Sequence, residues 1–184
     1  MPKPRKSRDQ KGVALLEFAV TLPLMVVMVI GIFDFGSAFN LKYKLNNAAE
    51  AGARFAASLP TNDLGSGGVP NSVLSVRNVI DDYLTAEEVN DCGLIRNGGA
   101  ANGGMKWTFQ SSGNGCPPLT FSLSIERSTA WSTSASGINI VTTRVIMTYP
   151  YAWRFGHVVG LLSRGSRFNG TSLISAEATA ANQY

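Results

Sequence analysis

Apolar residues dominate one long stretch near the start of the chain. From Val13 to Phe33 there are 21 residues, and Glu17 carries the only charge among them. At about 1.5 Å per helical residue the stretch is roughly 31 Å long, which matches the hydrocarbon core of a bilayer. Pro23 removes one helical hydrogen bond, but membrane helices tolerate proline. The pattern therefore predicts a transmembrane helix over residues 13–33.

The helical pattern continues beyond this apolar stretch. Across residues 34–58 apolar side chains recur every three or four positions without a proline, which is typical of an amphipathic helix. Pro60 is expected to end it. We therefore predict one continuous helix from about Val13 to Ser58, with charged residues between the apolar positions, namely Asp34, Lys42, Lys44, Glu50 and Arg54.

A glycine-rich segment follows Pro60, and a second, shorter helix is predicted after it. Asn71 or Ser72 can cap its start, and its end is expected near Asn90. Valines, Ile80 and Leu84 form its apolar face. Its acidic residues are expected to face water, and these are Asp81, Asp82, Glu87 and Glu88. The stretch from Asn97 to Gly104 has four glycines and is predicted to be a loop.

The last third of the chain alternates apolar and polar residues, the pattern of half-buried strands. Strands are predicted over Met105–Gln110, Leu119–Glu126, Val141–Tyr149 and Leu173–Ala180. Pro150 and the segment 153–166 are expected to connect the last two. Because no long helix separates the strands, we predict an antiparallel sheet of about four strands. The fold class is therefore α+β, with the helix packed on one face of the sheet.

Charge and hydropathy together divide the chain into four parts. Residues 1–12 carry five basic side chains and one acidic one, and the remainder has no net side-chain charge, although the whole chain has a net charge of +4. Because cationic flanks remain on the cytoplasmic side, the N-terminus is expected inside and the domain outside. We expect a basic leader (1–12), a transmembrane helix (13–33), an amphipathic extension (34–59) and an exported domain (60–184). The basic character belongs to the leader, which argues against a nucleic-acid partner.

The two cysteines lie in the exported part of the chain. Exported compartments of bacteria are oxidising, so Cys92 and Cys116 are predicted to form a disulfide, with two free thiols as the alternative. The bond would close a loop of 25 residues and contribute on the order of 3 kcal/mol. A metal site is disfavoured, because two cysteines and one distant histidine do not supply four ligands.

Glu17 is the main candidate functional residue, since a carboxylate inside a membrane-length apolar segment is costly. If the chain is cut after Gly12, the new amine of Val13 becomes a cation. Glu17 of a neighbouring subunit can pair with that amine in lipid.

These residues resemble the N-terminus of TadE-like proteins, minor pseudopilins of the tight-adherence (Tad, Flp-type) pilus system. The resemblance covers about 47 residues from Gly12 onwards. It rests on Gly12, Glu17-Phe18, Pro23, Asp34-Phe35-Gly36 and Ala51-Gly52-Ala53-Arg54-Phe55-Ala56. Looser similarity continues through Met147-Thr148-Tyr149-Pro150 and the alanine-rich last strand.

The resemblance implies a single-pass protein of the bacterial inner membrane that takes part in pilus assembly. A prepilin peptidase would cut between Gly12 and Val13, and Glu17 would be the intermolecular carboxylate. Phe18 replaces the tyrosine that is common in major Flp pilins. The implied partners are other pilin-like subunits, Tad inner-membrane assembly proteins and membrane lipid. No cofactor is implied, and the large exported domain favours a minor subunit over the repeating one.

Two alternatives stay open at this point. The apolar segment can be an uncleaved anchor for a periplasmic binding or scaffold module, or a cleaved secretory signal, although the latter usually has a shorter apolar region. An enzyme is disfavoured because His157 is the only histidine and no nucleophile motif lies near it. The glycines of residues 65–68 lack the lysine of a phosphate-binding loop.

Overall fold

The computed structural model describes residues 10–65, 68–96, 100–101, 103–132, 139–154 and 170–183. Two helices come first, α1 over Gln10–Ser58 and α2 over Asn71–Ala86, followed by a short 3₁₀ turn at Leu94–Arg96. Five strands then form one sheet, and they are β1 (Ala100–Ala101), β2 (Lys106–Ser111), β3 (Phe121–Ser132), β4 (Asn139–Ala152) and β5 (Thr171–Ala181). The predicted α+β class is confirmed.

Helix α1 has two halves with opposite surroundings. It contains 49 residues and is about 73 Å long at 1.5 Å per residue. An 18-residue apolar window in its first half has a mean hydropathy of 2.5, and none of that window is buried. In the second half an alanine-rich stripe is buried in the core, with Leu45, Ala48, Ala49, Ala53 and Ala56 almost fully covered. The folded domain therefore covers only the second half of the helix.

Helices α1 and α2 cross at Gly52. A Cβ atom at this position would lie 2.7 Å from the side chain of Ile80, which is closer than van der Waals contact allows. The absence of a side chain at Gly52, which is buried, lets Ile80 of the hydrophobic core reach the backbone of α1.

Helix α2 starts and ends differently from the sequence-based prediction. Neither Asn71 nor Ser72 is the cap. Instead Asp63 accepts hydrogen bonds from the backbone N–H of Ser72 at 2.8 Å and from its hydroxyl at 2.9 Å. The helix ends at Ala86, four residues before the predicted Asn90.

The early end of α2 is a Schellman motif. The N–H of Val89 donates to the carbonyl of Leu84 at 2.8 Å, and that of Glu88 donates to Thr85 at 3.1 Å. Glu88 occupies the left-handed position with a φ of 56°, where glycine is the usual residue. The sequence therefore lacks the ordinary signal for a helix end at this point.

The sheet is antiparallel throughout, with the strands in chain order from β1 to β5. A row of buried side chains crosses its inner face, in which Phe109 pairs with Leu123, Leu123 with Met147, and Met147 with Ala176. Helix α1 lies against β4 and β5 on this face, and the buried side chains of α2 belong to the same hydrophobic core. The four long strands confirm the predicted sheet, and β1 adds a two-residue pair inside the segment expected to be a loop.

Strand β4 is longer than predicted. It continues through Pro150 to Ala152, whereas the sequence placed Pro150 in the connection to the next strand. The pairing of β4 with β3 ends at Thr148, and beyond that residue the strand pairs only with β5. A proline is tolerated in such an edge-like stretch, where one side of the strand needs no hydrogen-bond donor.

Candidate functional site

The predicted cleavage and assembly residues lie on the first turns of α1. Gly12, Val13, Glu17 and Phe18 are all exposed. Val13 and Glu17 are one helical turn apart, a rise of about 6 Å. Glu17 has no ion-pair partner among the residues that the structure describes. The helix thus presents an unpaired carboxylate close to the amine that a cut after Gly12 would create.

The hydroxyl of Thr21, one helical turn after Glu17, forms its hydrogen bonds within α1. The hydroxyl of Thr21 donates to the carbonyl of Glu17 at 2.9 Å and approaches that of Phe18 at 3.3 Å. In a lipid environment such internal bonds remove the cost of a buried hydroxyl. Among the residues that the structure describes, the carboxylate of Glu17 has no comparable hydrogen bond within the helix, so in lipid its charge requires a partner from outside.

The peptide bond between Gly12 and Val13 lies in the first turn of α1, which begins at Gln10. The N–H groups of a first turn have no partner within the helix, and this turn contains no acidic residue to favour its dipole. The turn can therefore unwind at little cost.

The folded domain meets α1 immediately after the apolar segment. Asp34 is 2% exposed, and the hydroxyl of Tyr151 donates to its carboxylate at 2.9 Å and to its backbone carbonyl at 3.1 Å. The sequence predicted a polar position outside the apolar stripe, so the burial of Asp34 against the end of β4 is a correction. Burial, together with the hydrogen bond to Asp34, raises the pKa of Tyr151.

An aromatic cluster surrounds this contact. The ring of Trp153 lies edge-on to Phe35 at 5.3 Å and to Tyr151 at 5.0 Å between centroids. The indole N–H of Trp153 donates to the hydroxyl of Ser172 at 2.6 Å. Sequence reasoning missed this cluster, since its partners are more than a hundred residues apart. The sequence contained one signal for a contact at this point, which is that the charged Asp34 follows directly after a membrane-length apolar run.

A polar groove lies beside the aromatic cluster, between α1, the turn after α2 and the end of β4. Its volume is about 380 Å³. Its lining includes Asn40, Lys44, Glu88, Asn90, Tyr151 and Arg154. Lys44 is held at one wall, where its ammonium donates to the backbone carbonyl of Glu87 at 2.5 Å.

The structure joins Cys92 and Cys116 in a disulfide, with their Cα atoms 5.4 Å apart. Neighbouring hydrogen bonds fix the two segments that it links. The side-chain amide of Asn90 donates to the carbonyl of Asn114 at 2.7 Å, and the hydroxyl of Tyr149 donates to the carbonyl of Asn90 at 3.0 Å. Burial raises the pKa of Tyr149. The disulfide therefore links the turn after α2 covalently to the segment before β3.

Asp81 corrects the prediction that the acidic residues of α2 face water. It is 7% exposed, and its Oδ1 has no hydrogen-bond partner among the residues that the structure describes. Burial, followed by the nearby carboxyl of Asp91, raises its pKa to about 6. Asp91 itself is engaged, since its oxygens accept from the N–H of Leu94 at 3.2 Å and the amide of Asn114 at 3.3 Å. Because the carboxyls of Asp81 and Asp91 lie close together, Asp81 favours retention of its proton.

The described part of the chain contains no group of three or more side chains suited to hold a metal ion. His157, the only histidine, lies outside the described residues. The described residues thus offer three features: the charged Glu17 within the apolar half of α1, the buried carboxylate of Asp34 directly after the apolar segment, and the polar groove.

Comparison with protein families identifies the N-terminal part of the chain. The family model described as TadE-like protein matches residues 12–54, about a quarter of the sequence. The match begins at the predicted cleavage glycine and ends within the half of α1 that packs on the domain. It confirms the resemblance over that segment, which is consistent with a TadE-like protein of the Tad pilus system. That family consists of pilus components and not of enzymes. No curated protein and no solved structure matches the chain.

Proposed function

We propose that this chain is a minor pseudopilin that takes part in assembly of a Tad/Flp-type pilus. It is inserted in the bacterial inner membrane, with the leader 1–12 in the cytoplasm and the domain in the periplasm, and it has no enzymatic activity. The observation that carries the proposal is the exposed apolar half of α1 with unpaired Glu17, inside the segment that matches TadE-like proteins.

The exposed side chains of α1 support membrane insertion. The large apolar residues of its first half, such as Leu15, Leu16 and Ile32, are each about 70% exposed. Water would solvate this surface poorly, at roughly 25 cal/mol per Å² of apolar area. Lipid or neighbouring apolar helices remove that cost. The basic residues before the helix set the orientation.

Cleavage by a prepilin peptidase supplies the partner that Glu17 lacks. A cut between Gly12 and Val13 removes the basic leader and leaves an α-amine at the tip of the helix. Within one chain this amine and Glu17 lie one turn apart, and in a stack of subunits the amine of one helix meets Glu17 of the next. Phe18 lies beside Glu17 on the exposed tip and offers an apolar contact to the neighbouring helix.

The size of the exported part favours a minor subunit. Its sheet, α2 and disulfide form a domain with its own core around Phe109, Leu123 and Met147. A repeating subunit of the Flp type consists of little more than the helix. The partners we propose are other pilin-like subunits, the Tad inner-membrane assembly proteins, the prepilin peptidase and membrane lipid.

The mature N-terminus tests this proposal. Intact-mass analysis of the membrane-extracted protein should show a chain that starts at Val13 in a strain with active prepilin peptidase, and Met1 in a strain without it. Gly12→Leu should block the cut. Gly31→Leu is the matched control, because a Cβ at either glycine meets nothing within 4 Å and should leave the fold intact. A chain that retains residues 1–11 despite an active peptidase would contradict the proposal.

The polar groove supports one second candidate. A groove of about 380 Å³ lined by Lys44, Glu88 and Arg154 is compatible with an uncleaved, membrane-anchored binding or scaffold module. An intact N-terminus combined with normal membrane insertion would favour this second function over the first.

A further inference from the structure

We propose that the aromatic cluster of Phe35, Tyr151 and Trp153 is a second membrane-contact site, which seats the exported domain on the headgroup region of the outer leaflet. The partner is the lipid surface itself. The inference rests on the membrane insertion of α1 in the proposed function, and it adds that the end of β4 also reaches the bilayer.

The position of the cluster carries the first part of the argument. Phe35 lies two residues beyond Phe33, the last residue of the apolar segment, which is a rise of about 3 Å along the helix. Trp153 packs against Phe35 at 5.3 Å. A helix that spans the hydrocarbon core over residues 13–33 therefore brings Trp153 to the depth of the headgroups.

The chemistry of the three side chains carries the second part. Tyrosine and tryptophan concentrate at membrane interfaces, because one part of the ring is apolar and the other is polar. Tyr151 and Trp153 are half-buried, and Phe35 remains 58% exposed although it contacts Trp153. Arg154 is exposed directly after the cluster, where a guanidinium can pair with lipid phosphate. This combination fits an interface between hydrocarbon and water.

The burial of Asp34 explains why the domain must stay close to the membrane. A carboxylate at the exit of a membrane span is unfavourable both in hydrocarbon and beside lipid phosphate. The hydroxyl of Tyr151 covers Asp34 on the domain side at 2.9 Å. The contact that shields the charge therefore also holds the end of β4 next to the bilayer surface.

Depth-dependent quenching of Trp153 fluorescence tests the inference. In the full chain, Trp107→Phe combined with Trp131→Phe leaves Trp153 as the only tryptophan. This variant is reconstituted into vesicles of phosphatidylethanolamine and phosphatidylglycerol that carry bromine either close to the headgroup or at mid-chain. We expect a clear loss of Trp153 emission, greater with the shallow bromine than with the deep one.

Two further measurements keep the result decisive. Because Trp107 is buried in the core, the difference in quenching between the wild-type chain and Trp153→Phe gives the same quantity without altering the core. As a control for insertion, Val26→Trp, made in a background with all three natural tryptophans replaced by phenylalanine, should be quenched more by the mid-chain bromine.

The outcomes separate the two proposals. Quenching at position 26 without quenching of Trp153 would overturn the second contact site and leave membrane insertion standing. Absence of quenching at both positions would overturn both. Equal quenching of Trp153 by shallow and deep bromine would also overturn the inference, because a ring at headgroup depth must distinguish them.

Discussion

The guanidinium of Arg127, on β3, caps the C-terminal end of α1 at Ala56. Its Nη2 donates to the carbonyls of Ala56 and Leu59, each at 2.8 Å, and its Nη1 to that of Pro60 at 3.3 Å. Carbonyls in a last helical turn have no partner within the helix and form the negative end of its dipole. Since Arg127 is fully buried, this contact fixes the end of the long helix to the middle of the sheet.

We predict that Arg127→Leu strongly destabilises the exported domain. The substitution removes the cationic donor that the carbonyls of Ala56, Leu59 and Pro60 share, and a lost hydrogen bond to a charged group costs about 1.5–3 kcal/mol. Denaturant unfolding of the full chain in detergent measures the loss. Arg144→Leu is the matched control on the adjacent strand. Arg144 is partly exposed and pairs with Glu177, so its loss should cost less than about 1 kcal/mol. Similar losses for both variants would contradict a special role for Arg127.

We predict that Gly52→Ala disturbs the crossing of α1 and α2. The added methyl group would lie 2.7 Å from Ile80, and relief of such overpacking typically costs about 1–3 kcal/mol. Gly36→Ala is the control on the same helix, where a Cβ meets nothing within 4 Å. That variant should be neutral or stabilising, because alanine favours the helix. Thermal unfolding compares the two, and equal stability would mean that the helices separate without cost.

We predict that the stability of the domain falls as the pH rises through about 6. The pKa of Asp81 is raised in the folded state from 3.8 to about 6. The stability that protonated Asp81 contributes is therefore fully present below its pKa in the unfolded chain, near 3.8. It is lost as the pH rises through the pKa of Asp81 in the folded state.

Asp81→Asn tests the origin of this pH dependence, because asparagine remains neutral. The variant should exceed the wild type in unfolding free energy at neutral pH, by on the order of 1–3 kcal/mol, and resemble it near the unfolded pKa. Unfolding titrations across this pH range provide the measurement, with Asp82→Asn, an exposed neighbour, as the control. An unchanged pH profile in Asp81→Asn would exclude Asp81 as the titrating group.

The sequence predicted the elements well because most of them rest on periodicity alone. The end of α1 at Ser58 and the alternation of Phe121, Leu123 and Ile125 on the inner face are as expected. Such patterns report which face of an element is buried. They do not report which distant residue lies opposite, so the capping of α1 by Arg127 could not be deduced.

The errors share this cause. Asp81 was assigned to water and Asp34 to a polar position between the apolar ones, and tertiary contacts bury both. Asp63 caps α2 from outside the helix, and Glu88 takes a left-handed conformation usually given to glycine. In each case a contact or backbone conformation from the folded domain overrides the local preference. At the candidate site the sequence identified Gly12, Val13 and Glu17 by their order alone, and their roles stay predictions.

We predict that Glu17 acts in assembly and not in folding. Glu17→Ala should leave the exported domain folded and the chain inserted, because alanine suits a membrane helix better than a carboxylate does. Cleavage after Gly12 should persist. Association with neighbouring pilin-like subunits should fail, because the amine of Val13 then loses its partner, and an unpaired buried charge costs several kcal/mol.

A pull-down of pilus components and a piliation assay measure the effect of Glu17→Ala, with the Cys92–Cys116 disulfide as the test of folding. Glu50→Ala is the control on the same helix. Glu50 pairs with Arg54 on the exposed face beyond the apolar segment, so its loss removes a surface ion pair and no intramembrane charge. We expect normal pili in the control and none in Glu17→Ala. Normal piliation and co-purification in Glu17→Ala would exclude the charge pairing, because no other ionised side chain within residues 13–33 can replace Glu17.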